Sequence, residues 1–190
     1  MRFDNEAKLW DEKPRRVELG KAVAKYTQKD CYEKSVLDFG CGTGLVSLEL
    51  DAKEILGVDL SPQMVKIFNQ KAQILGKNAK AICEDVKNVN NKFDVIVASM
   101  VFHHIDNIKY MLKILSEKLN LNGKLFIADL YKEDGSFHDK GNDDVFHFGF
   151  NKDSFHSEYF ELLNFEKIYT IKKHKEFDTY IWELKKIDYN

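Results

Sequence analysis

The stretch Lys34–Gly44, K-S-V-L-D-F-G-C-G-T-G, decides how the rest of the chain is interpreted. Its first half, Ser35–Phe39, is a short and mostly apolar run, which is typical of a buried strand. Three glycines then alternate, and Leu45–Leu50 predicts the start of a helix. Because glycine lets a ligand approach the backbone and a helix start offers free N–H groups, the loop predicts a ligand site.

Two nucleotide-binding patterns can be compared with this loop. A dinucleotide fingerprint, G-x-G-x-x-G, requires a third glycine at the position of Leu45. A P-loop requires a lysine after its glycines, and none follows here. The loop instead reads D-x-G-x-G-x-G from Asp38 to Gly44, and a tight turn without a ligand is the remaining alternative.

Composition limits the class of protein. The chain has 190 residues, 44% of them hydrophobic, and a net charge of −2. We therefore expect one soluble domain over 1–190 and no electrostatic attraction to nucleic acid. A polar N-terminus and the lack of a long apolar run predict neither a signal peptide nor a membrane span. Cys31, Cys41 and Cys83 show no CxxC spacing, which predicts reduced thiols and a cytoplasmic protein.

Strand and helix patterns alternate along the chain. Further strands are predicted at Lys53–Val58, Ala79–Cys83, Phe93–Ala98, Lys124–Ala128, Phe165–Ile171 and Phe177–Leu184. Helices are predicted from Pro14 to Tyr26, from Ser61-Pro62 to Gly76, over Ile108–Leu119 and over Ser154–Leu163. The alternation predicts an α/β fold with a doubly wound, mostly parallel sheet. The last two strands are too close in sequence to pair in any way but antiparallel.

Polar side chains stand at the ends of four predicted strands: Asp38, Asp59, Asp85 and Ser99. Ligands of doubly wound sheets bind beyond the carboxyl ends of the strands, so we expect these side chains to face one site. Asp59 follows Gly40 by 19 residues, at a position where a carboxylate can accept from two ribose hydroxyls. NAD-binding proteins share that feature, so it does not identify the ligand.

Several segments together carry a family resemblance over roughly residues 34–129. They are V-L-D-F-G-C-G-T-G, G-V-D-L-S-P-Q-M, C-E-D-V, F-D-V-I-V-A-S-M-V-F-H-H-I and L-N-G-K-L-F-I-A-D. The chain resembles class I S-adenosylmethionine (SAM)-dependent methyltransferases of the ubiquinone and menaquinone biosynthesis type. The resemblance implies seven strands in the order 3-2-1-4-5-7-6 and SAM as the cofactor.

The resemblance also implies roles for the residues of the glycine loop. Gly40 and Gly42 would lie against the methionine part and the ribose, and Asp59 would hold the ribose hydroxyls. Asp38 and Gly44 belong to the same predicted cofactor site.

The adenine and amine contacts follow from the same resemblance. Leu60 and Met64 would flank the adenine, and Asp85 and Val86 would read its edge. Ser99 would border the methionyl amine.

The residues that contact the methyl acceptor are predicted less specifically than those that contact SAM. The SAM sulfonium is already activated, so a base is needed only when the acceptor must lose a proton. His103 and His147 are the candidate catalytic residues, and Trp10, Tyr131 and Phe148 join both histidines as candidate substrate contacts. No metal site is predicted, because the sequence contains neither HxxxH on a helix nor a Cys/His cluster.

Two segments are expected to shape the acceptor pocket. Residues 1–30 are predicted as an N-terminal helical flap, and residues 130–150, which lack a clear period, as an insertion. The predicted function is transfer of a methyl group from SAM to a small molecule. A non-catalytic module that binds SAM or S-adenosylhomocysteine (SAH) and an NAD-dependent oxidoreductase are the alternatives.

Overall fold

The protein folds around one seven-stranded sheet, as seen in a computed structural model that describes residues 2–138 and 143–188. The strands are β1 (Ser35–Phe39), β2 (Glu54–Asp59), β3 (Ala79–Cys83), β4 (Phe93–Ser99), β5 (Leu119–Leu130), β6 (Phe160–Lys172) and β7 (Glu176–Lys186). Their order is β3-β2-β1-β4-β5-β7-β6. The first five pair in parallel, and β7 pairs antiparallel with both β5 and β6, so the predicted topology is confirmed.

Four α-helices accompany the sheet in the described part of the chain. They are α1 (Arg2–Glu6), α2 (Pro14–Cys31), α3 (Pro62–Leu75) and α4 (Ile108–Glu117). The start of α3 is set by Ser61, whose hydroxyl accepts from the N–H of Met64 at 3.2 Å. Its end is set by Gly76, whose φ of +63° only glycine adopts without strain. No helix of the described residues has both the length and the apolar composition that crossing a bilayer requires.

The core has two layers because neighbouring residues of each strand point to opposite faces. On one face, Val36 of β1 belongs to the same buried cluster as Leu19 of α2 and Phe68 of α3. On the other face, Leu37 belongs to a second buried cluster with Leu115 of α4. Helices therefore cover both faces, as predicted.

The helix predicted at Leu45–Leu50 is wrong. The segment forms only a short 3-10 helix at Ser47–Glu49. Helix α2 occupies this part of the sheet face instead, since a Cβ at Gly20 would lie 2.7 Å from the carbonyl oxygen of Leu45. The close approach of α2 leaves no space for a longer helix.

The helix predicted at Ser154–Leu163 is also wrong. A capping box at Asn151 starts a single 3-10 turn, Lys152–Phe155, and the edge strand β6 then begins at Phe160. Pairing with β7 along its length overrides the helical pattern of the sequence. Strand β5 likewise begins at Leu119, earlier than predicted, and the Asn122-Gly123 turn is an irregularity within it.

Candidate active site

A cavity of about 540 Å³ opens at the carboxyl ends of β1 to β4. The strand order reverses between β1 and β4, which is where doubly wound sheets bind their ligands. Most of the predicted site residues line it, namely Trp10, Asp38, Gly40, Gly42, Asp59, Leu60, Met64, Asp85, Val86, Ser99 and His103. The carboxyl ends of the strands thus bring these residues together from distant parts of the sequence.

The glycine loop forms one wall of the cavity. Gly40 and Gly42 have φ values of +71° and +50°. A Cβ at Gly40 would lie 2.3 Å from a methyl group of Val101, whereas one at Gly42 would have only Trp10 nearby, at 3.9 Å. Packing against Val101 therefore requires glycine at position 40. At Gly42 the backbone is open to the cavity beneath the indole of Trp10.

Gly44 does not line the cavity. With φ at +83°, it packs inward, and a Cβ there would lie 2.7 Å from Leu48 and 2.8 Å from Phe68. Cys41 is also buried between the loop and the sheet, where its sulfur faces Gly57. Burial raises the pKa of the Cys41 thiol well above its ordinary value, so the residue fills space and is not suited to act as a thiolate nucleophile.

Asp59 is fixed by the backbone on both of its oxygens. Oδ2 accepts from the N–H of Gly42 at 2.8 Å, and Oδ1 accepts from the N–H of Ser61 at 2.8 Å. Burial raises the pKa of Asp59, and these backbone hydrogen bonds act in the opposite direction. The carboxylate thus links the glycine loop to the start of α3 while it lines the cavity.

Asp38 is buried at the end of β1, beside the loop. Burial raises its pKa to about 7, although Ser47 acts in the opposite direction. Asp85, at the end of β3, is more exposed and accepts from the N–H of Lys87 at 3.0 Å. It therefore already caps the 3-10 turn Val86–Asn88.

The N-terminal segment contacts the rim of the cavity on two sides. Asp4 accepts from the hydroxyl of Ser61 at 2.6 Å, and Asp11 accepts from that of Thr43 at 2.5 Å. On the opposite side, the ring of Phe3 meets that of His104 edge to face. These contacts hold the segment over the glycine loop and the start of α3.

The indole of Trp10 is itself held in place by a cation. The guanidinium of Arg16 lies 3.3 Å from the centre of the Trp10 ring and pairs with Glu6 at 3.1 Å. The sequence prediction of a helical segment before β1 is confirmed in its secondary structure. Movement of that segment as a flap stays a prediction.

A buried histidine–carboxylate pair lies beyond β4 and β5. Nδ1 of His103 lies 2.7 Å from Oδ1 of Asp129, the residue near the end of β5. The backbone N–H groups of Leu130 and His103 also donate to Asp129, at 2.8 and 3.3 Å. The carboxylate accepts all of these hydrogen bonds, so Nδ1 of His103 is a donor, and in the neutral imidazole the lone pair lies on Nε2.

His104 has a similar arrangement. Its Nδ1 lies 2.6 Å from the backbone carbonyl oxygen of Asp144, which can only accept. Burial and the neighbouring His103 lower the pKa of His104, so its imidazole is favoured in the neutral form. Nε2 of His104 therefore also keeps its lone pair.

His138 completes a cluster with these two residues. One ring nitrogen of each histidine lies within 4.8 Å of those of the other two. All three side chains line the cavity, and the His103 and His104 rings lie 4.1 Å apart. The sequence analysis did not predict this grouping, because His138 follows the other two by more than thirty residues.

Three candidate acceptor contacts lie outside the cavity lining. Tyr131 packs against the ring of Tyr180 at 4.9 Å, and Phe148 packs over Gly135. His147 has Nε2 at 2.9 Å from the carbonyl oxygen of Ile105. The segment after β5 folds back on itself, with the N–H of Glu133 donating to the carbonyl oxygen of Phe148 at 2.9 Å. The three side chains therefore contact this segment, β7 or the loop at Ile105 and not the cavity.

Asp129 was not predicted for the site, and His104 and His138 were passed over in favour of His103 and His147 as candidate bases. The signal for Asp129 was present, since it is a carboxylate near a strand end like Asp38 and Asp59. No comparable signal pointed to His138, which reaches the cavity through a segment without regular structure.

The comparisons with known proteins agree with this geometry. A family model described as "Methyltransferase domain" matches residues 12–172. The chain belongs to this methyltransferase family. The resemblance deduced from the sequence motifs is thereby confirmed.

Among curated relatives, an uncharacterized methyltransferase of Schizosaccharomyces pombe is 37% identical over 117 residues, covering 55% of this chain and 41% of that protein. A ubiquinone biosynthesis O-methyltransferase of Pelagibacter ubique is 32% identical over 101 residues, covering 51% and 42%. The matches thus span about two fifths of the length of these relatives. Among solved structures, the N-methyltransferase NodS from Bradyrhizobium japonicum, in complex with SAH, superimposes with a TM-score of 0.74 at 14% identity, covering 95% of this chain and 91% of that chain.

Proposed function

We propose that this methyltransferase transfers a methyl group from SAM to a small-molecule acceptor. The observation that carries the proposal is the position of Asp59, held by Gly42 and Ser61 at the rim of a cavity of about 540 Å³. A carboxylate so fixed has lone pairs left to accept from two ribose hydroxyls. The solved methyltransferase structures with bound SAM or SAH support this choice of cofactor.

The remaining cofactor contacts are proposed on the positions of the residues around the cavity. Gly40 and Gly42 would face the methionine part and the ribose, with Asp38 and Gly44 shaping the loop. Leu60, which is 61% exposed, and the buried Met64 would flank the adenine.

At the far side of the adenine site, Asp85 and Val86 would meet the edge of the base. Ser99, at the end of β4, would border the methionyl amine. The N-terminal segment with Trp10 would cover the bound cofactor, which keeps water from the sulfonium.

The chemical step needs a nucleophilic atom of the acceptor in line with the methyl group and the sulfur. His103 is the proposed base for an acceptor that must lose a proton, because Asp129 engages Nδ1 and leaves Nε2 as the nitrogen that can take up a proton. A small acceptor is proposed because the cavity is limited in volume and the chain carries a net charge of −2.

The proposed boundaries are one catalytic domain over 1–190, an N-terminal flap over 1–30 and an acceptor-pocket insertion over 130–150. Within the last of these, residues 139–142 lie outside the described part of the chain.

Calorimetric titration of the purified protein with SAM, SAH and NAD tests the cofactor. We expect binding of SAM and SAH and none of NAD. Binding of NAD alone would overturn the proposal. If SAM binds but no acceptor in a broad chemical screen yields SAH, the chain is a cofactor-binding module without methyl transfer.

Asp59→Ala tests the central contact. We expect a loss of about 1–3 kcal/mol in SAM binding, because the ribose hydroxyls lose a buried acceptor. Glu54→Gln is the matched control, since Glu54 is an exposed carboxylate at the other end of the same strand. If Asp59→Ala binds SAM as tightly as Glu54→Gln does, Asp59 is not part of the cofactor site.

A further inference from the structure

We propose that His103, His104 and His138 form a binding site for one divalent transition-metal ion of the zinc class. Their ring nitrogens come within 4.8 Å of one another at the wall of the cavity. A tetrahedral ion with metal–nitrogen bonds of about 2.0–2.1 Å requires its ligand nitrogens to be about 3.3 Å apart. The three nitrogens are therefore close to this spacing, and binding of an ion would draw them together by rotation of the side chains.

The two adjacent histidines are each held in place by a hydrogen bond from Nδ1. Nδ1 of His103 donates to the carboxylate of Asp129 at 2.7 Å, and Nδ1 of His104 donates to the carbonyl oxygen of Asp144 at 2.6 Å. Metal-binding histidines are typically oriented in this way, with the other ring nitrogen donating to a carboxylate or a backbone carbonyl. In both residues Nδ1 is thus engaged by its hydrogen bond, and Nε2 is the nitrogen that remains to bind an ion.

The three histidines form a compact and mostly buried cluster. The His103 side chain is 2% exposed, and that of His104 is 20% exposed. The ring centre of His138 lies 5.2 Å from that of His103 and 5.8 Å from that of His104. Imidazole nitrogen suits zinc, cobalt, nickel and copper ions rather than magnesium or calcium, which prefer oxygen.

Three protein ligands leave one coordination position open, as in catalytic zinc sites. Because the histidines line the cavity, that position is open to a molecule within it. With the ion bound, Nε2 of His103 is a ligand and no longer a base, so activation of the acceptor passes to the ion. The open position takes a thiol or hydroxyl group of the acceptor, which an ion converts more readily to its anion. The proton of that group passes to solvent water. The anion then attacks the methyl carbon in line, so the new bond forms as the bond between the methyl carbon and the sulfonium sulfur breaks and SAH leaves.

The role of the ion rests on the proposed methyl transfer, whereas binding of the ion does not. The two are therefore tested separately. The full chain, treated with chelator and then dialysed, is titrated with Co²⁺ in the absence of SAM, and the visible spectrum reports tetrahedral coordination. The same metal-free protein is titrated with SAM by calorimetry.

We expect one Co²⁺ per chain, displaced by Zn²⁺. His138→Ala and His104→Ala should each weaken Co²⁺ binding by at least about tenfold. His156→Ala, an exposed histidine outside the cluster, should bind as the unaltered protein does. Lack of a tetrahedral spectrum, or unchanged affinity in both cluster variants, would overturn the metal site. Failure of SAM binding alone would instead overturn the proposed function and leave the metal site standing.

Discussion

Nδ1 of His103, in the 3-10 turn after β4, lies 2.7 Å from Oδ1 of Asp129 near the end of the neighbouring parallel strand β5, and both side chains are buried. The two residues are 26 positions apart, and pairing of β4 with β5 brings them together. Because Asp129 receives only N–H donors, it determines which nitrogen of the imidazole carries the hydrogen. One buried carboxylate thus controls the chemistry that the His103 ring presents to the cavity.

The first prediction concerns this control of the tautomer. Asp129→Asn places an amide beside Nδ1, and an amide N–H facing the ring favours hydrogen on Nε2 instead. We expect nitrogen NMR of the imidazole to show Nε2 of His103 unprotonated in the native protein and protonated in the variant. Stability should fall by about 1–3 kcal/mol, because a buried charge-assisted hydrogen bond is lost. An unchanged tautomer in a folded variant would contradict the assigned role of Asp129.

The second prediction concerns the N-terminal segment. Asp11 accepts from Thr43 at 2.5 Å and pairs with Lys71 at 2.8 Å, so it ties residues 7–12 to the glycine loop and to α3. Asp11→Ala removes both contacts, and we expect amide hydrogen exchange in residues 2–13 to accelerate roughly tenfold, since each contact contributes about 1 kcal/mol or less. Asp51→Ala is the control, because Asp51 also pairs with one lysine, Lys77, away from the cavity.

The same variants address the proposed covering of the cofactor. If the segment covers bound SAM, Asp11→Ala should also weaken SAM binding severalfold, whereas Asp51→Ala should not. Faster exchange with unchanged SAM affinity would mean that the segment packs on the rim without contributing to binding.

The sequence was sufficient to predict the strands and their mostly parallel sheet, because the strands are short apolar runs separated by strong turn and cap signals. The strand order was implied by the family resemblance. Ser61 and Gly76 illustrate this, since a capping hydroxyl and a glycine at a positive φ are local signals for the start and the end of a helix. The helix predicted at Ser154–Leu163 failed because pairing across β7 is a tertiary effect that local periodicity does not contain.

The residues predicted to contact the cofactor line the cavity more completely than those predicted to contact the acceptor, for a similar reason. Asp38, Asp59 and Asp85 stand at strand ends, which parallel pairing places along one edge of the sheet. The approach of His138 to His103 depends on the path of a segment without regular structure. The packing of Tyr131 and His147 away from the cavity depends on the same path.

The third prediction compares two glycines with similar backbone angles. Gly40 has φ +71° and would place a Cβ 2.3 Å from Val101, whereas Gly76 has φ +63° and nothing within 4 Å of a Cβ. Gly76→Ala should therefore cost only the backbone strain, about 1–2 kcal/mol. Gly40→Ala should cost roughly 2 kcal/mol more, because the clash forces the loop to move. Urea denaturation of both variants measures the difference.

A double variant isolates the steric part of this effect. Gly40→Ala combined with Val101→Ala removes the methyl groups that the new Cβ meets, so part of the loss should be recovered relative to the two single variants. Strictly additive losses would show that backbone strain at residue 40, and not contact with Val101, determines the cost.

The fourth prediction follows from the buried carboxyl of Asp38, whose pKa burial raises from 3.8 to about 7. Between these values the unfolded chain is ionised at this residue and the folded chain is protonated, so Asp38 stabilises the fold fully only at low pH. That contribution is lost as pH rises to about 7, and a shift of about 3 units corresponds to roughly 4 kcal/mol at most. Asp38→Asn cannot titrate, so its stability relative to the native protein should increase steadily from pH 4 to pH 7 and then level off.

Urea denaturation across this range measures the change, with Asp51→Asn as the exposed-site control. A constant difference between Asp38→Asn and the native protein would show that Asp38 is ionised in the folded state throughout.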